Sequence, residues 1–143
     1  MTFVMPTAKT VFAMMSVVAA TFAPGAAASA DTDFQSPSGN IACHMDHDLG
    51  AVCDIASYTY AVPPHPADCP LHFGDRFMLS PGKAPVMVCH GDTVRVAGEQ
   101  TLNYGQRLSV DSISCDSEPA GMTCTDAHTG HYFQVASGSF ELH

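Results

Sequence analysis

The feature that most constrains this chain is a set of six cysteines, all of which follow residue 30. They are Cys43, Cys53, Cys69, Cys89, Cys115 and Cys124. An even number of cysteines in a short chain is typical of exported proteins, whose oxidising surroundings join the thiols in pairs. A thiolate metal site is the alternative, but the sequence contains no Cys-x-x-Cys pair. The cysteines therefore predict three disulfides, and that prediction requires an export signal.

The first thirty residues have the pattern of a secretory signal peptide. Lys9 is their only charged residue, an apolar run extends from Val11 to Ala23, and Ala28-Ser29-Ala30 is a small-x-small cleavage motif. A membrane anchor is the alternative, but the run is shorter than the ~20 residues that span a bilayer, and no Lys or Arg cluster follows it. We expect cleavage after Ala30, one domain over residues 31–143, no membrane span after cleavage, and a location outside the cell or in its envelope.

The charge balance excludes some classes of partner. The chain has five basic and fourteen acidic residues, and without Lys9 the remainder has a formal charge of 4 − 14 = −10. Binding to nucleic acid or to an anionic membrane depends on Lys and Arg, so this balance argues against both. An acidic surface favours cationic partners or surface polymers.

The pattern of short β-rich segments predicts an all-β domain, a sandwich or barrel of short antiparallel strands. Almost no helical periodicity is present, and Gly, Pro, Asp, Asn or Ser interrupts the chain every few residues. The strands we predict are Ile41–Met45, Ala51–Ile55, Tyr58–Val62, Arg76–Leu79, Val86–Cys89, Thr93–Val96, Arg107–Val110, Ile113–Asp116, Met122–Asp126, Tyr132–Ala136 and Phe140–His143.

Six cysteines allow 15 pairings, and turn signals rank them. Cys115 and Cys124 flank the turn-forming segment Glu118-Pro119-Ala120-Gly121, and Cys43 and Cys53 flank a similar segment that ends at Gly50. A hairpin at each turn would place its two cysteines opposite each other, which leaves Cys69 to pair with Cys89. The sequential pairing is therefore favoured. Because the Cys69–Cys89 loop is the longest, chain entropy predicts that its loss destabilises most.

Two segments of the chain are similar to each other. Ile41-Ala42-Cys43 followed by Gly50-Ala51-Val52-Cys53-Asp54 matches Ile113-Ser114-Cys115 followed by Gly121-Met122-Thr123-Cys124-Thr125. A β-fold built from two related cysteine hairpins explains the match, and chance similarity between two hairpins explains it equally well.

Several motifs in order resemble an uncharacterised family of small secreted actinobacterial proteins, a domain of unknown function. The opening motif is Phe34-Gln35-Ser36-Pro37-Ser38-Gly39-Asn40-Ile41-Ala42-Cys43. The others are Cys53-Asp54-Ile55, Pro66-Ala67-Asp68-Cys69-Pro70, Cys89-His90-Gly91-Asp92-Thr93, Leu102-Asn103-Tyr104-Gly105, and Gly121-Met122-Thr123-Cys124 with Thr129-Gly130-His131. One departure is a Tyr, near Tyr60, where Trp is expected. The resemblance implies export and a fold, and it carries over no catalytic residue.

Two of these motifs have a structural interpretation. Ser36-Pro37-Ser38-Gly39-Asn40 is dense in turn formers whose side chains bond nearby backbone N–H groups. Tyr104-Gly105 is interpreted as a turn, with the tyrosine ring covering one edge of the core.

No catalytic signature is present: the chain has no G-x-S-x-G, no H-E-x-x-H, no Walker loop and no dinucleotide fingerprint. A Ser-His-Asp triad or a carboxylate pair assembled in space stays open. The suggestive residues are histidines in loops, His44 and His47 in one and His128 and His131 in another. Histidine and carboxylate ligands suit Zn or Cu(II), although solvated polar loops account for them more simply.

From the sequence we therefore predict a secreted, non-catalytic binding module with an unknown extracellular or cell-envelope ligand and no cofactor. Extracellular metal binding through the histidine loops and a small secreted hydrolase are the alternatives.

Overall fold

The structure, a computed structural model, describes residues 31–143. The predicted signal peptide, residues 1–30, lies outside the described residues. Eleven strands and no helix occur in the described part. The strands are β1 Thr32–Gln35, β2 Ile41–Asp46, β3 Gly50–Ile55, β4 Arg76–Leu79, β5 Val86–Met87, β6 Gln100–Thr101, β7 Arg107–Val110, β8 Ile113–Glu118, β9 Gly121–Asp126, β10 Tyr132–Ala136 and β11 Ser139–Leu142.

These strands form two sheets that pack face to face. The first sheet has the order β5-β4-β3-β2-β1-β6, and the second has the order β11-β10-β9-β8-β7. In the first sheet the edge pair β1–β6 is parallel and the other pairs are antiparallel, and the pairs of the second sheet are antiparallel. Strands β3 and β4 face β8, β9 and β10. The all-β prediction is confirmed, and the architecture is the sandwich.

The core lies between the sheets, where inward-facing side chains alternate with outward-facing ones along β8, β9 and β10. Phe34, Phe77 and Phe133 are fully buried in it. Burying each such side chain stabilises the fold by about 1.5–3 kcal/mol. At the centre the sulfur atoms of Cys53 and Cys124, one from each sheet, lie 4.0 Å apart.

The sequential disulfide pairing is confirmed. The bonds join Cys43 to Cys53, Cys69 to Cys89, and Cys115 to Cys124, and no cysteine of the described residues is free. The first and third bonds link directly opposite residues of the hairpins β2–β3 and β8–β9, with Cα–Cα distances of 4.1 and 4.0 Å. The second bond joins two loops outside the sheets.

The internal similarity extends well beyond the two cysteine hairpins. Strands β1 to β5 form an antiparallel meander, and β7 to β11 repeat it in the same order. The cross-strand partners correspond as well: Cys43–Cys53 with Cys115–Cys124, Cys53–Phe77 with Cys124–Phe133, and Phe77–Met87 with Phe133–Leu142. The match of two complete five-stranded meanders favours an internal duplication over chance similarity.

Two predicted strands are wrong, and a third is shorter than predicted. The segment Tyr58–Val62 is not a strand; it precedes two prolines, which lack N–H donors, and its tyrosines pack against the core instead. The segment Thr93–Val96 is not a strand: the backbone N–H of Val94 donates to the carboxylate of Asp54, to which the hydroxyl of Thr93 also donates. The segment predicted as Val86–Cys89 forms a strand only over Val86–Met87.

The sequence analysis also missed β1 and β6, and it misplaced one side chain. Tyr104 is 52% exposed and lies outside the core cluster, so its ring does not cover a core edge as predicted. The adjacent turn is present, with Gly105 at φ +84°. Within residues 31–143 no helix is long and apolar enough to cross a membrane.

Candidate functional site

Four loops meet at one end of the sandwich and form a cleft of about 620 Å³. They are the β2–β3 turn, the β4–β5 loop, the β7–β8 turn and the β9–β10 loop. We call this the histidine cleft; it is lined by His47, Asp48, Leu49, Ser80, Pro81, Lys83, Asp111, Ser112 and His128. Ligand sites usually have volumes of about 300–1,000 Å³ and lie on loops carried by a rigid scaffold. The cleft therefore has the size and position of a small-ligand site.

The buried carboxylate of Asp126, at the end of β9, holds three of these loops together. One oxygen accepts a hydrogen bond from the N–H of Gly82 at 2.8 Å, and the other accepts one from the N–H of His128 at 2.9 Å. Burial opposes ionisation, but these N–H groups and the side chains of Ser112 and Thr129 outweigh it and hold the pKa of Asp126 below its usual range. The cleft is thus fixed by an ionised buried group.

The β7–β8 turn contains the only non-glycine residue with positive φ among residues 31–143, Asp111 at φ +52°. This left-handed conformation is unfavourable for residues with a Cβ. Superimposing the repeats aligns Ile113 with Ile41, so the counterpart of Asp111 is Gly39, at φ +71°. The β1–β2 connection, which is longer, has a glycine at this position, whereas the turn at the histidine cleft has a carboxylate.

The carboxylate of Asp111 forms a short hydrogen bond with Nδ1 of His47 across the cleft. This bond is the largest cause of a raised pKa of His47, and the charges of Asp111, Asp48 and Asp46 act in the same direction. The His47 side chain is 76% exposed, so its ring stays accessible to a ligand. The pair places an oriented imidazole at the mouth of the cleft.

The four histidines singled out from the sequence do not form one group. His47 and His128 line the same cleft, whereas His131 bonds the carbonyl oxygen of His143 at 3.1 Å. His44 lies on β2, with its ring nitrogens 2.8 Å from Asp33 and 3.1 Å from Asp46.

Burial of His44 opposes protonation, but Asp33 and Asp46 outweigh it and raise the pKa of the ring. In the described part of the chain, no group of three or more His, Cys, Asp or Glu side chains is arranged to hold a metal ion.

The opposite end of the sandwich has the equivalent loops but a much smaller cavity, of about 110 Å³. We call it the serine cleft; it is lined by Ser36, Ser38, Asn40, Ile41, Tyr104, Ser117, Glu118, Pro119, Gly121, Ala136 and Ser137. Its β1–β2, β8–β9 and β10–β11 turns are the counterparts of the β7–β8, β2–β3 and β4–β5 connections. The chain therefore has two related clefts, one at each end.

Asn40 draws the loops of the serine cleft together. Its side-chain amide donates to the carbonyl of Ser57 at 2.9 Å and to Oγ of Ser137 at 3.1 Å, and its oxygen accepts from the N–H of Ser57. The counterpart of Asn40 is Ser112, as the bonds Ala56 N–H to Asn40 O and Ala127 N–H to Ser112 O show, each 2.9 Å long. Serine is too short to bridge the loops in the same way, and the histidine cleft is open.

The turn interpretation of the Ser36–Asn40 motif is confirmed. The Oγ of Ser36 accepts a hydrogen bond from the N–H of Ile41, and the Oγ of Ser38 accepts one from the N–H of Asn40. These hydroxyl groups therefore stabilise the β1–β2 turn.

A second charged cluster lies on the outer side of β3 and β4, and its groups are paired with one another. Asp54, Arg76 and His90 are buried, whereas Asp92 is exposed. Arg76 binds the carboxylate of Asp54 through two nitrogens, at 2.6 and 2.9 Å, and that of Asp92 at 2.7 Å. His90 bonds Asp75 at 2.8 Å. Burial opposes ionisation of Asp54, but Arg76 outweighs it and lowers the pKa of the carboxyl. This cluster anchors the loop that follows β5.

Sequence reasoning singled out only His47 and His128 of the histidine cleft. Among the residues that it missed are Lys83, Asp111 and Ser112, together with Asp126 beneath them. The signal for two of them was present, since extending the repeat alignment upstream places Asp111 and Ser112 on Gly39 and Asn40. Lys83 and Asp126 carry no such local signal, because loops far apart in the sequence bring them to the cleft.

Comparison with known proteins gives a family but no function. No curated protein and no solved structure matches the chain. Residues 13–142 match a family described as a family of unknown function, DUF6636. Since this match includes both cysteine hairpins and every loop of the histidine cleft, the chain belongs to DUF6636.

Proposed function

We propose that this protein is a secreted, non-catalytic binding module that holds an extracellular or cell-envelope ligand in the histidine cleft. Three disulfides are typical of proteins that mature in an oxidising compartment, which supports export. The actinobacterial origin implied by the motif resemblance belongs to the same proposal.

The observation that carries the proposal is the left-handed conformation of Asp111. At a position that is a glycine in the longer connection of the other repeat, an aspartate here makes the backbone less favourable and places a carboxylate beside His47. Unfavourable backbone conformations of this kind cluster at ligand sites, where the side chain is needed. The buried Asp126 supports the same interpretation, because it fixes the loops in advance of binding.

Binding is favoured over hydrolysis by the surroundings of His47. An Asp–His pair is the orienting half of a catalytic triad, and the reaction would also need a nucleophile hydrogen-bonded to the other ring nitrogen. In residues 31–143 no serine or threonine hydroxyl is hydrogen-bonded to His47, and the hydroxyl of Ser112 is engaged by Asp126.

The test is capture of a ligand from the native culture medium and cell envelope by immobilised protein of residues 31–143. Wild type and His131→Ala should retain the same compound, as judged by mass spectrometry, whereas His128→Ala and Asp111→Gly should retain at least about tenfold less. His131 is the matched control because it lies in the same loop as His128 but does not line the cleft.

Equal capture by His128→Ala and His131→Ala would contradict a site in the histidine cleft. A captured compound whose mass changes on incubation with the protein would instead establish the hydrolase alternative.

A further inference from the structure

Tyr104 presents its ring at the serine cleft without contributing to the core. Tyr104 is 52% exposed. Two hydrogen bonds fix its turn to β8: the N–H of Gly105 donates to the carbonyl of Ser117 at 2.7 Å, and the N–H of Ser117 donates to the carbonyl of Gln106 at 3.0 Å. The chain therefore holds an accessible aromatic face in a defined place at the edge of a cavity.

Glu118, at the end of β8, supplies a carboxylate to the same cavity. It is exposed, and in the described part of the chain it forms no ion pair. The lining contains no Lys, Arg or His residue, so nothing cationic in the cavity neutralises this charge. The carboxylate would repel an anionic ligand.

The cleft is large enough for a small cationic head group. Its volume of about 110 Å³ accommodates an ammonium, trimethylammonium or guanidinium group. A cation over an aromatic face gains from the ring quadrupole, and a neighbouring carboxylate adds to that attraction. The formal charge of −10 over residues 31–143 also attracts cations from a distance.

We propose that the serine cleft is a second binding site, which takes the cationic head group of a ligand between the ring of Tyr104 and the carboxylate of Glu118. This site lies at the other end of the sandwich from the histidine cleft and does not depend on it. Asn40 keeps the cavity at the size of one head group by bridging Ser57 and Ser137.

The test is an NMR titration of isotopically labelled protein of residues 31–143 at neutral pH and low salt. The probes are choline for a free quaternary ammonium, Nα-acetyl-arginine amide for a peptide guanidinium, and glucose as an uncharged control. We expect choline, the arginine derivative or both to shift the signals of Tyr104, Ser117 and Glu118, with affinity that falls as salt is added. Which of the two binds more tightly distinguishes a small quaternary amine from a basic peptide as the source.

Variants separate the two contacts. Tyr104→Ala and Glu118→Gln should each weaken the affinity about fivefold, whereas Tyr104→Phe, which keeps the aromatic face, should bind like wild type. Glu141→Gln is the matched carboxylate control, since Glu141 lies on β11 outside the cavity. Unchanged core signals in each variant show that it has folded.

The proposal is overturned if neither cation shifts these signals, if glucose shifts them equally, or if Tyr104→Ala binds as tightly as wild type. Shifts confined to His47, Asp111 and His128 would also overturn it and would assign the cation to the histidine cleft.

Discussion

Replacing Asp111 with glycine tests whether its side chain is needed for the stability of the β7–β8 turn or for a ligand site. Holding an ordinary residue in the left-handed region costs about 1–2 kcal/mol, with aspartate near the lower end. Glycine removes this cost, but it lowers the free energy of unfolding by about 0.5–1 kcal/mol because the unfolded chain then has more conformational freedom. The two terms nearly cancel, so Asp111→Gly should change the free energy of unfolding by no more than about 1 kcal/mol.

The assay is urea unfolding of residues 31–143 with the disulfides intact, at a pH where the imidazole of His47 is neutral. The reciprocal variant, Gly39→Asp, is the control: the same two terms oppose each other at φ +71°, and the added Cβ lies 3.3 Å from Oε1 of Gln35, the end of a flexible side chain. It should therefore also change the free energy of unfolding by no more than about 1 kcal/mol.

A pH titration followed by NMR gives the second readout on Asp111→Gly. The pKa of His47 should fall towards its ordinary value, because its largest cause of elevation has been removed. If Asp111→Gly instead loses more than about 2 kcal/mol, the aspartate is required for folding, and the inference of a ligand site from its backbone is refuted.

Three further predictions follow from the buried groups and the loops. Asp126→Asn should lose about 1–3 kcal/mol at neutral pH, because both carboxylate oxygens accept N–H bonds and an amide nitrogen would face one of those donors. Since the folded pKa of Asp126 is lowered, the stability that its carboxylate contributes is present above the unfolded pKa of about 3.9 and is lost as the pH falls through the folded pKa. In urea unfolding, the difference in free energy of unfolding between wild type and Asp126→Asn should therefore be smaller at acidic pH than at neutral pH. A constant difference would contradict this. Replacing both cysteines of the Cys43–Cys53 bond with alanine should lower the melting temperature more than the same replacement at Cys69–Cys89. The chain-entropy contributions of the two loops, of 10 and 20 residues, differ by only about 0.6 kcal/mol. The Cys43–Cys53 bond, however, is fully buried between the sheets, so its removal also leaves a cavity in the core. Zn or Cu(II) should give no specific rise in melting temperature, and a saturable rise abolished by His47→Ala with His128→Ala would establish the metal-binding alternative.

Much of the fold could be predicted from the sequence because its determinants are local. The turn residues around Gly50 and Gly121 define two hairpins, and each hairpin fixes one disulfide; the third pair follows by elimination. The alternation of apolar residues along β8 to β10 shows which face is buried. The predicted order of disulfide strengths is revised, because loop length can be read from a sequence whereas burial of a sulfur atom cannot.

The errors have a common physical cause, which is competition from contacts between distant segments. Thr93–Val96 has strand-forming residues, but the carboxylate of Asp54 accepts the backbone N–H of Val94, which a strand would use for pairing. Tyr104 is apolar enough for the core, but its turn is held to β8 in a position that leaves the ring outside. In both cases a partner far away in the sequence takes part: Asp54 for the first segment and Ser117 for the second.

The candidate sites depend on a difference between the repeats rather than on any motif. Each repeat has a connection before the first cysteine of a hairpin, and the β1–β2 connection is longer than the β7–β8 turn. At the two positions that precede the hairpin strand, Asp111 replaces Gly39 and Ser112 replaces Asn40. The serine removes the bridge that narrows the cavity at the other end, and the aspartate adds a carboxylate that orients His47. A wide cleft with an imidazole and a narrow one with an exposed ring and a carboxylate therefore arise from one scaffold. If this account is correct, Ser112→Asn should narrow the histidine cleft and reduce ligand capture while Asp111 and His47 stay paired.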